Sequence, residues 1–365
     1  MPGPILVTGG AGFVGSHVVD ALLDLGRNVR VLDCLLPAAH RERPSIDPRA
    51  EWIEADVRDP DAVAGAVEAV DAVCHQAAMV GLGVEIGDVA EYVAHNDLGT
   101  AVLLRALAAS RFTGRLVLAS SMVIYGEGRY RCPEHGLVRP GPRRSEALDA
   151  GEFEPPCPVC GRRLEPESVP EDAPPDPRNV YAATKLHQEH LVAAYAREHR
   201  GSWVALRYHN VYGPRMPRNT PYAGVASIFR SAAARGEPPL VFEDGGQRRD
   251  FVHVHDVARA NVLVLLADGG DDRPDLSGAY NVATGRPRTV LDMAEALVAA
   301  APGRAGRSTS DPLAPRIVGG YRIGDVRHVF ASPARAADRL GFTAAIGFDE
   351  GMAEFAGAVL RGADA

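Results

Sequence analysis

The chain opens on a short apolar run, Ile5-Leu6-Val7, which leads through a glycine-rich stretch into an amphipathic segment over 16–25. Comparable short runs recur at 28–32, at Ala72-Val73-Cys74-His75, at Leu116-Val117-Leu118-Ala119 and at Val204-Ala205-Leu206-Arg207. Between them, apolar positions three and four apart predict helices over 61–70, 90–111 and 181–199. Continuous apolar runs suit strands buried on both faces, and their alternation with helices predicts a doubly wound α/β fold with a parallel sheet. Ligands of such a sheet lie beyond the carboxyl ends of its strands. Asp56-Val57, Gln76-Ala77-Ala78, Ser120-Ser121 and Tyr208-His209-Asn210 fall at those ends. No internal repeat is visible.

The stretch after the first strand reads Thr8-Gly9-Gly10-Ala11-Gly12-Phe13-Val14-Gly15. Gly9, Gly12 and Gly15 sit in a strand–turn–helix setting. There, glycines allow a tight turn, close approach of a pyrophosphate to backbone N–H groups and close helix–strand packing. The second strand ends at Asp33, where an acidic residue holds a ribose 2′-hydroxyl. A carboxylate there repels a 2′-phosphate, which favours NAD over NADP, although Arg41 and Arg43 lie close by.

Tyr181 and Lys185 stand four residues apart in Asn179-Val180-Tyr181-Ala182-Ala183-Thr184-Lys185. On a helix they share one face. A cation beside a phenol lowers its pKa from about 10 toward neutrality, which suits a general acid/base. Alone, such a pair is common on solvated helices; beside a dinucleotide turn it points to hydride-transfer chemistry.

Composition agrees with a soluble enzyme. The 365 residues carry a net charge of −8, which argues against nucleic acid or an anionic membrane as partner. No apolar run approaches the about 18 residues that span a bilayer. Met1-Pro2-Gly3-Pro4 has no basic segment and runs directly into the first strand, so a cytoplasmic protein is expected.

Between the fifth strand and the Tyr/Lys helix lies an insertion, 127–170, which contains Cys132-Pro133-Glu134-His135 and Cys157-Pro158-Val159-Cys160-Gly161. C-x-x-H followed by C-x-x-C gives two chelating turns, and a glycine after the second pair suits a knuckle. Cys132, His135, Cys157 and Cys160 match a tetrahedral structural zinc site with no open position. A small, loop-rich lobe without a core of its own needs such a staple. Free thiols or a Cys157–Cys160 disulfide are the alternatives, and a cytoplasmic setting disfavours the disulfide. The lobe enters near the substrate mouth, where it would cap the substrate or join subunits.

The motifs TGGAGFVG, AAMVG, SSMVIYG, YAATK, RYHNVYGPR, RRDFVHVHDVARA and YRIGDVRH occur in this order along the chain. In them the chain resembles the extended short-chain dehydrogenase/reductases of the NAD-dependent nucleotide-sugar epimerase/dehydratase family. The resemblance implies a Rossmann-type sheet with a smaller α/β substrate domain. It also implies that Phe13 and Val14 line the pyrophosphate turn, that Asp33 holds the adenosine ribose, and that Asp56 and Val57 border the adenine. Gln76, Ala77, Ala78 and Asn96 would border the nicotinamide half, with His209, in place of a more usual aromatic residue, also on the cofactor. Ser121, Tyr181 and Lys185 match the catalytic triad of the family, with Lys185 also on the nicotinamide ribose. Asn210, Arg249, Arg322 and Asp325 match positions that hold a nucleotide diphosphate, and Phe242 one that packs on the base. Arginine suits the diphosphate because its paired donors neutralise both charges.

Family members that dehydrate a nucleotide hexose carry an Asp-Glu pair after the serine or threonine, and decarboxylating members a Glu. This chain has Met122 and Val123 there, and neither can move a proton. Members that epimerise at C3 and C5 use a cysteine where Met122 stands. The remaining set, Ser, Tyr, Lys and NAD, implies 4-epimerisation through a transient 4-keto sugar, with a net nucleotide-sugar reductase or dehydrogenase as the alternative. A non-catalytic dinucleotide sensor would be expected to lack the Tyr or Lys. The CPEHG and CPVCG insertion resembles the bacterial branch that acts on dTDP-L-rhamnose, and Met79, Val80, Leu82 and Met122 would suit a 6-deoxy sugar. A UDP-hexose stays open as substrate. The resemblance further implies an NAD-binding domain over 1–207 and 251–282 and a nucleotide-sugar domain over 208–250 and 283–365. A homodimer joined through the helices over 90–111 and 181–199 is also implied.

Overall fold

The computed structural model describes residues 2–37, 39–40, 42–81, 86–199, 201–218, 224–267, 275–301, 312–322 and 324–361. Seven parallel strands make its central sheet: β1 (Ile5–Thr8), β2 (Val29–Asp33), β3 (Glu51–Glu54), β4 (Ala72–His75), β5 (Arg115–Ser121), β6 (Ser202–Tyr208) and β7 (Gly278–Val282). Their order across the sheet is β7-β6-β5-β4-β1-β2-β3. The chain reverses direction across the sheet between β1 and β4, so a crevice opens beyond the carboxyl ends of those strands, where a dinucleotide fits. The apolar runs are strands as predicted. β3 has no counterpart among those runs: it is an edge strand of sequence Glu-Trp-Ile-Glu with exposed ends, too polar to be read as buried.

Helices cover both faces. α1 (Phe13–Asp24) and α5 (Val254–Leu265) pack on one face, through Val18, Leu22 and Val257. α2 (Pro60–Ala66), α3 (Gly99–Ala109) and α4 (Val180–His199) cover the other, through Val63, Leu103, Leu107 and Val192. The helix predicted over 90–111 is three segments end to end: Val89–Tyr92, a π-helical stretch Val93–Leu98, and α3. The π stretch turns Asn96 inward, where it is fully buried.

A second apolar core forms away from the sheet. Helices Val225–Ala234, Val290–Ala300 and Phe348–Gly357 enclose Phe229, Met293, Leu297 and Phe355. The strand-like run around Phe251 pairs in parallel with Asn210–Tyr212 as a small separate sheet, and Phe251 belongs to this second core. The insertion is a three-stranded antiparallel sheet, Gly136–Val138, Arg129–Cys132 and Glu165–Glu167. Its core is small: Tyr130, Cys132, Cys157 and Leu164. No helix among the described residues is long and apolar enough to cross a membrane.

Candidate active site

The first glycine turn is tight because β1 must pass directly under α1. Gly9 has φ +68°, and a Cβ there would stand 2.6 Å from the backbone nitrogen of Ala77. A Cβ on Gly15 would stand 2.2 Å from the carbonyl oxygen of Gly9. Helix α1 starts without a side-chain cap and without an acidic residue in its first turn. Its first N–H groups are therefore open to an anion. Asp33 accepts the N–H of Ala11 at 3.0 Å and that of Leu35 at 2.9 Å, which fixes its carboxylate beside the turn. His40 lies 3.9 Å from the same carboxylate. Arg43 is paired with Glu54 at 2.6 Å; Arg41 lies outside the described residues.

From this turn a single cavity of about 700 Å³ extends to the far loops. Gly9, Gly12, Phe13, Val14, Gly15, Gln76 and Ala78 line one end, and Asn210, Phe242, Arg249, Arg322 and Asp325 the other, with Ser121, Tyr181, Lys185 and His209 between. All the catalytic and substrate residues expected from the sequence thus share one space. Asp33, Asp56, Val57, Ala77 and Asn96, expected to border the cofactor, are not among its lining residues. Asp56 is tied to Arg58 at 2.8 Å. Asn96 clamps the segment after β4, accepting the N–H of Met79 at 2.7 Å and donating to its carbonyl at 3.0 Å and to Thr184 at 2.9 Å. Val80 and Met122 line the cavity, whereas Met79 does not; Leu82 lies outside the described residues.

At the centre, Asn179 caps α4 by accepting the N–H of Ala182 at 2.8 Å. Tyr181 and Lys185 follow on the face that meets β5. The ammonium of Lys185 is buried and donates to the carbonyl of Ala119 at 2.9 Å; it stands 5.9 Å from the centre of the Tyr181 ring. Burial lowers its pKa to about 7, against Asp97 and Glu189, which raise it. Ser121, at the end of β5, faces the Tyr181 phenol across the cavity and lowers its pKa.

One expectation is corrected here. Lys185 alone does not bring the phenol toward neutrality. Burial raises Tyr181 to about 12, and the nearby Ser121 hydroxyl offsets this only in part. A buried oxyanion is costly unless positive charge lies close.

Behind β5 a buried network keeps this geometry. Arg207 donates to Glu189 at 3.0 and 2.8 Å and to the Tyr125 hydroxyl at 2.8 Å, and Ser120 donates to Glu189. Arg249 is held by the carbonyls of Val326 and Arg327, the latter at 2.9 Å. Arg322 stacks over the Phe242 ring at 5.5 Å. Both ring nitrogens of His209, Oδ1 of Asn210 and Oε1 of Gln247 are buried without a partner among the described residues, and all three residues line the cavity. Burial holds His209 neutral, with its pKa at about 4. Unpartnered polar atoms on a cavity wall are where a polar ligand would bond. The uncapped turn, Asp33 and these atoms fit a dinucleotide and a nucleotide sugar laid end to end.

Sequence reasoning missed two cavity residues. Gln247 stands two residues before Arg249, just outside the motif that begins at Arg248. Arg361 donates to the Ala11 carbonyl and, at 2.9 Å, to the Ser16 hydroxyl, directly over the glycine turn. Nothing in the sequence links positions so far apart. Acidic side chains among the described lining residues are Glu243 and Asp325, both at the far end, so none stands beside Ser121.

In the insertion the four expected ligands converge. Sγ of Cys132 lies 3.7 Å from Sγ of Cys160 and 3.5 Å from Nδ1 of His135, and Sγ of Cys157 lies 3.8 Å from the same nitrogen. All four donor atoms fall within 4.8 Å of one another. Tetrahedral zinc with bonds near 2.3 Å would set sulfurs about 3.8 Å apart. Gly161 takes φ +73° and donates to the Cys157 carbonyl at 2.9 Å, which closes the second knuckle.

The profile of the NAD dependent epimerase/dehydratase family matches residues 5–153 and 157–283. The chain is 31% identical to a dTDP-L-rhamnose 4-epimerase of Burkholderia thailandensis, over 96% of this chain and 93% of that one. It is 28% identical to a UDP-glucose 4-epimerase of Bacillus subtilis, over 96% and 95%. Among solved structures it is similar to Thermus thermophilus UDP-glucose 4-epimerase in complex with NAD. The TM-score is 0.74, with 32% identity and cover of 98% of this chain and 100% of that one.

The high phenol pKa can be read directly. In cofactor-free protein, the ultraviolet phenolate signal of wild type minus Tyr181→Phe should emerge only as pH approaches about 12. Since the folded value lies above the ordinary one, raising the pH has to deprotonate exposed tyrosines first. A Tyr181 phenolate near neutral pH without cofactor would contradict the burial argument.

Proposed function

The chain belongs to the NAD dependent epimerase/dehydratase family, and from that membership we propose that it inverts C4 of a nucleotide-diphosphate sugar. The observation that carries this reading is the bare proton-transfer set at the centre of the cavity. Ser121, Tyr181 and Lys185 meet there, and Met122 and Val123 stand where a second acid or base would be needed for dehydration or decarboxylation. The substrate we favour is a dTDP-6-deoxyhexose such as dTDP-L-rhamnose, supported by the likeness to the Burkholderia enzyme and by Val80, Met122 and Val123 on the cavity wall. A UDP-hexose is the second reading, supported by the likeness to UDP-glucose 4-epimerases.

Bound NAD supplies a reversible hydride acceptor and, when oxidised, the positive charge that Tyr181 lacks in its absence. Tyr181 takes the proton of the sugar O4 and later returns it. Ser121 hydrogen-bonds the same oxygen and steadies charge as the ketone forms. Lys185 would hold the nicotinamide ribose. Arg249, Arg322, Asn210 and Asp325 keep the nucleotide end in place, with Phe242 on the base, while the keto sugar turns to present its other face. Gly9 to Gly15 cradle the pyrophosphate, and Asp33 holds the adenosine ribose. The residues over 1–207 and 251–282 serve the cofactor, and those over 208–250 and 283–365 the nucleotide sugar.

We further propose a structural zinc on Cys132, His135, Cys157 and Cys160, supported by their tetrahedral spacing, and a homodimer. Val93 and Leu98, 43% and 50% exposed on the helical run before α3, support a helix-mediated contact.

Three outcomes are expected. Tyr181→Phe should lower C4 inversion of dTDP- and UDP-sugars, followed by NMR, by about 10²–10⁴-fold while bound NAD is unchanged; full activity would refute the assigned role. Elemental analysis should find about one zinc per chain, lost in Cys157→Ser with a fall in melting temperature; metal-free protein of unchanged stability would exclude the site. Light scattering should give a dimer that Leu98→Glu shifts toward monomer; a monomeric wild type would end that proposal.

A further inference from the structure

The insertion does more than bring Cys132, His135, Cys157 and Cys160 together: among its side chains, Arg143 and Glu154 reach the segments at the far end of the cavity. Arg143, only 5% exposed, donates to Oε1 of Glu243 at 2.8 Å and to the carbonyl of Asp325 at 2.7 Å. It thereby joins the two loops that carry Phe242 and Asp325. Glu243 is itself unusual. It is a buried non-glycine residue with φ +53°, a left-handed conformation that a side chain disfavours. Such backbone persists when its surroundings over-determine it. Here two arginines grip the carboxylate, Arg143 at Oε1 and Arg327 at Oε2, both at 2.8 Å. Phe242, which faces the cavity, is the residue immediately before it.

Glu154 makes the second link. It accepts from Arg327 at 2.8 Å and faces Nε2 of His328 at 3.0 Å. With that nitrogen donating, Nδ1 of His328 is free to accept the N–H of Arg248, as it does at 3.0 Å. Arg248 adjoins Arg249, whose guanidinium is held by the carbonyls of Val326 and Arg327. Glu154 lies three residues before Cys157, and the Cys157 N–H is bonded to the Arg162 carbonyl at 2.7 Å. The metal knuckle therefore fixes the segment from which Glu154 projects.

We infer that Arg143 and Glu154 of the insertion are positioning residues for the nucleotide end of the substrate site, so that the lobe sets nucleotide affinity. The inference rests on the nucleotide-sugar reading above. Neither residue lines the cavity: Arg143 bonds Glu243 and Asp325, which do, and Glu154 reaches lining residues at one remove, through Arg327 to Glu243 and through His328 and Arg248 toward Arg249. The lobe thus acts as a brace behind the nucleotide pocket.

The test is calorimetric binding of UDP and dTDP to the NAD-loaded full chain. Arg143→Ala and Glu154→Gln should each weaken binding of the better nucleotide by about tenfold or more. The KM for the nucleotide sugar should rise in step, while kcat and the NAD content stay near those of wild type. Arg143→Lys, which keeps the charge but loses the fork, should recover part of the affinity. Unchanged affinity in both alanine and glutamine variants would overturn the inference. So would a loss of affinity that comes with equal loss of NAD and of melting temperature, since that is the mark of general destabilisation. If wild type bound neither nucleotide, the substrate reading would fall first, and the brace with it.

Discussion

The site depends on one buried contact, the Lys185 ammonium on the carbonyl of Ala119. An amine sealed from water favours its neutral form, and here burial lowers the pKa to about 7. That contact ties α4 to the end of β5, two residues before Ser121. It fixes the distance between the helix that carries Tyr181 and the strand that carries Ser121, so phenol and hydroxyl meet in one cavity. The Arg207–Glu189 pair, with Ser120 on the same carboxylate, keeps helix and strand together from behind. Breaking one partner of such a buried pair costs about 3–5 kcal/mol, which makes this the stiffest part of the site.

Tyr181 lines the cavity, and desolvation there holds its phenol above the ordinary value, at about 12. The Lys185 ammonium beside it is engaged with the carbonyl of Ala119. In the proposed reaction, the positive charge of oxidised cofactor would favour the phenolate, so that proton transfer would depend on an occupied cofactor site. Among the described lining residues no acidic side chain stands beside Ser121, where Met122 and Val123 follow. In the proposed reaction Tyr181 would therefore act as base in one half-reaction and as acid in the other.

The central fold was legible in the sequence wherever physics acts locally. Buried strands show as apolar runs, and the glycine turn follows from the close pass of β1 under α1. The i, i+4 spacing placed Tyr181 and Lys185 on one face. The spacing of Cys132, His135, Cys157 and Cys160 announced a cluster that does converge. What escaped was long-range or environmental. β3 is too polar to declare itself. The direction of the Tyr181 shift depends on burial, which spacing does not report. Asn96 proved to clamp the Met79 backbone. The reach of Arg143 to Glu243 and of Glu154 to Arg327 crosses 100 and 173 residues, and no local pattern foretells it.

Central to this account is that one hydride leaves C4 and returns to the same carbon within a closed site. The direct measurement uses a dTDP-sugar or UDP-sugar deuterated at C4, turned over in ordinary water and followed by NMR. The account predicts C4-inverted product that retains its deuterium, with no NADH released. Loss of the label to solvent, or NADH consumed or formed in proportion to product, would contradict it.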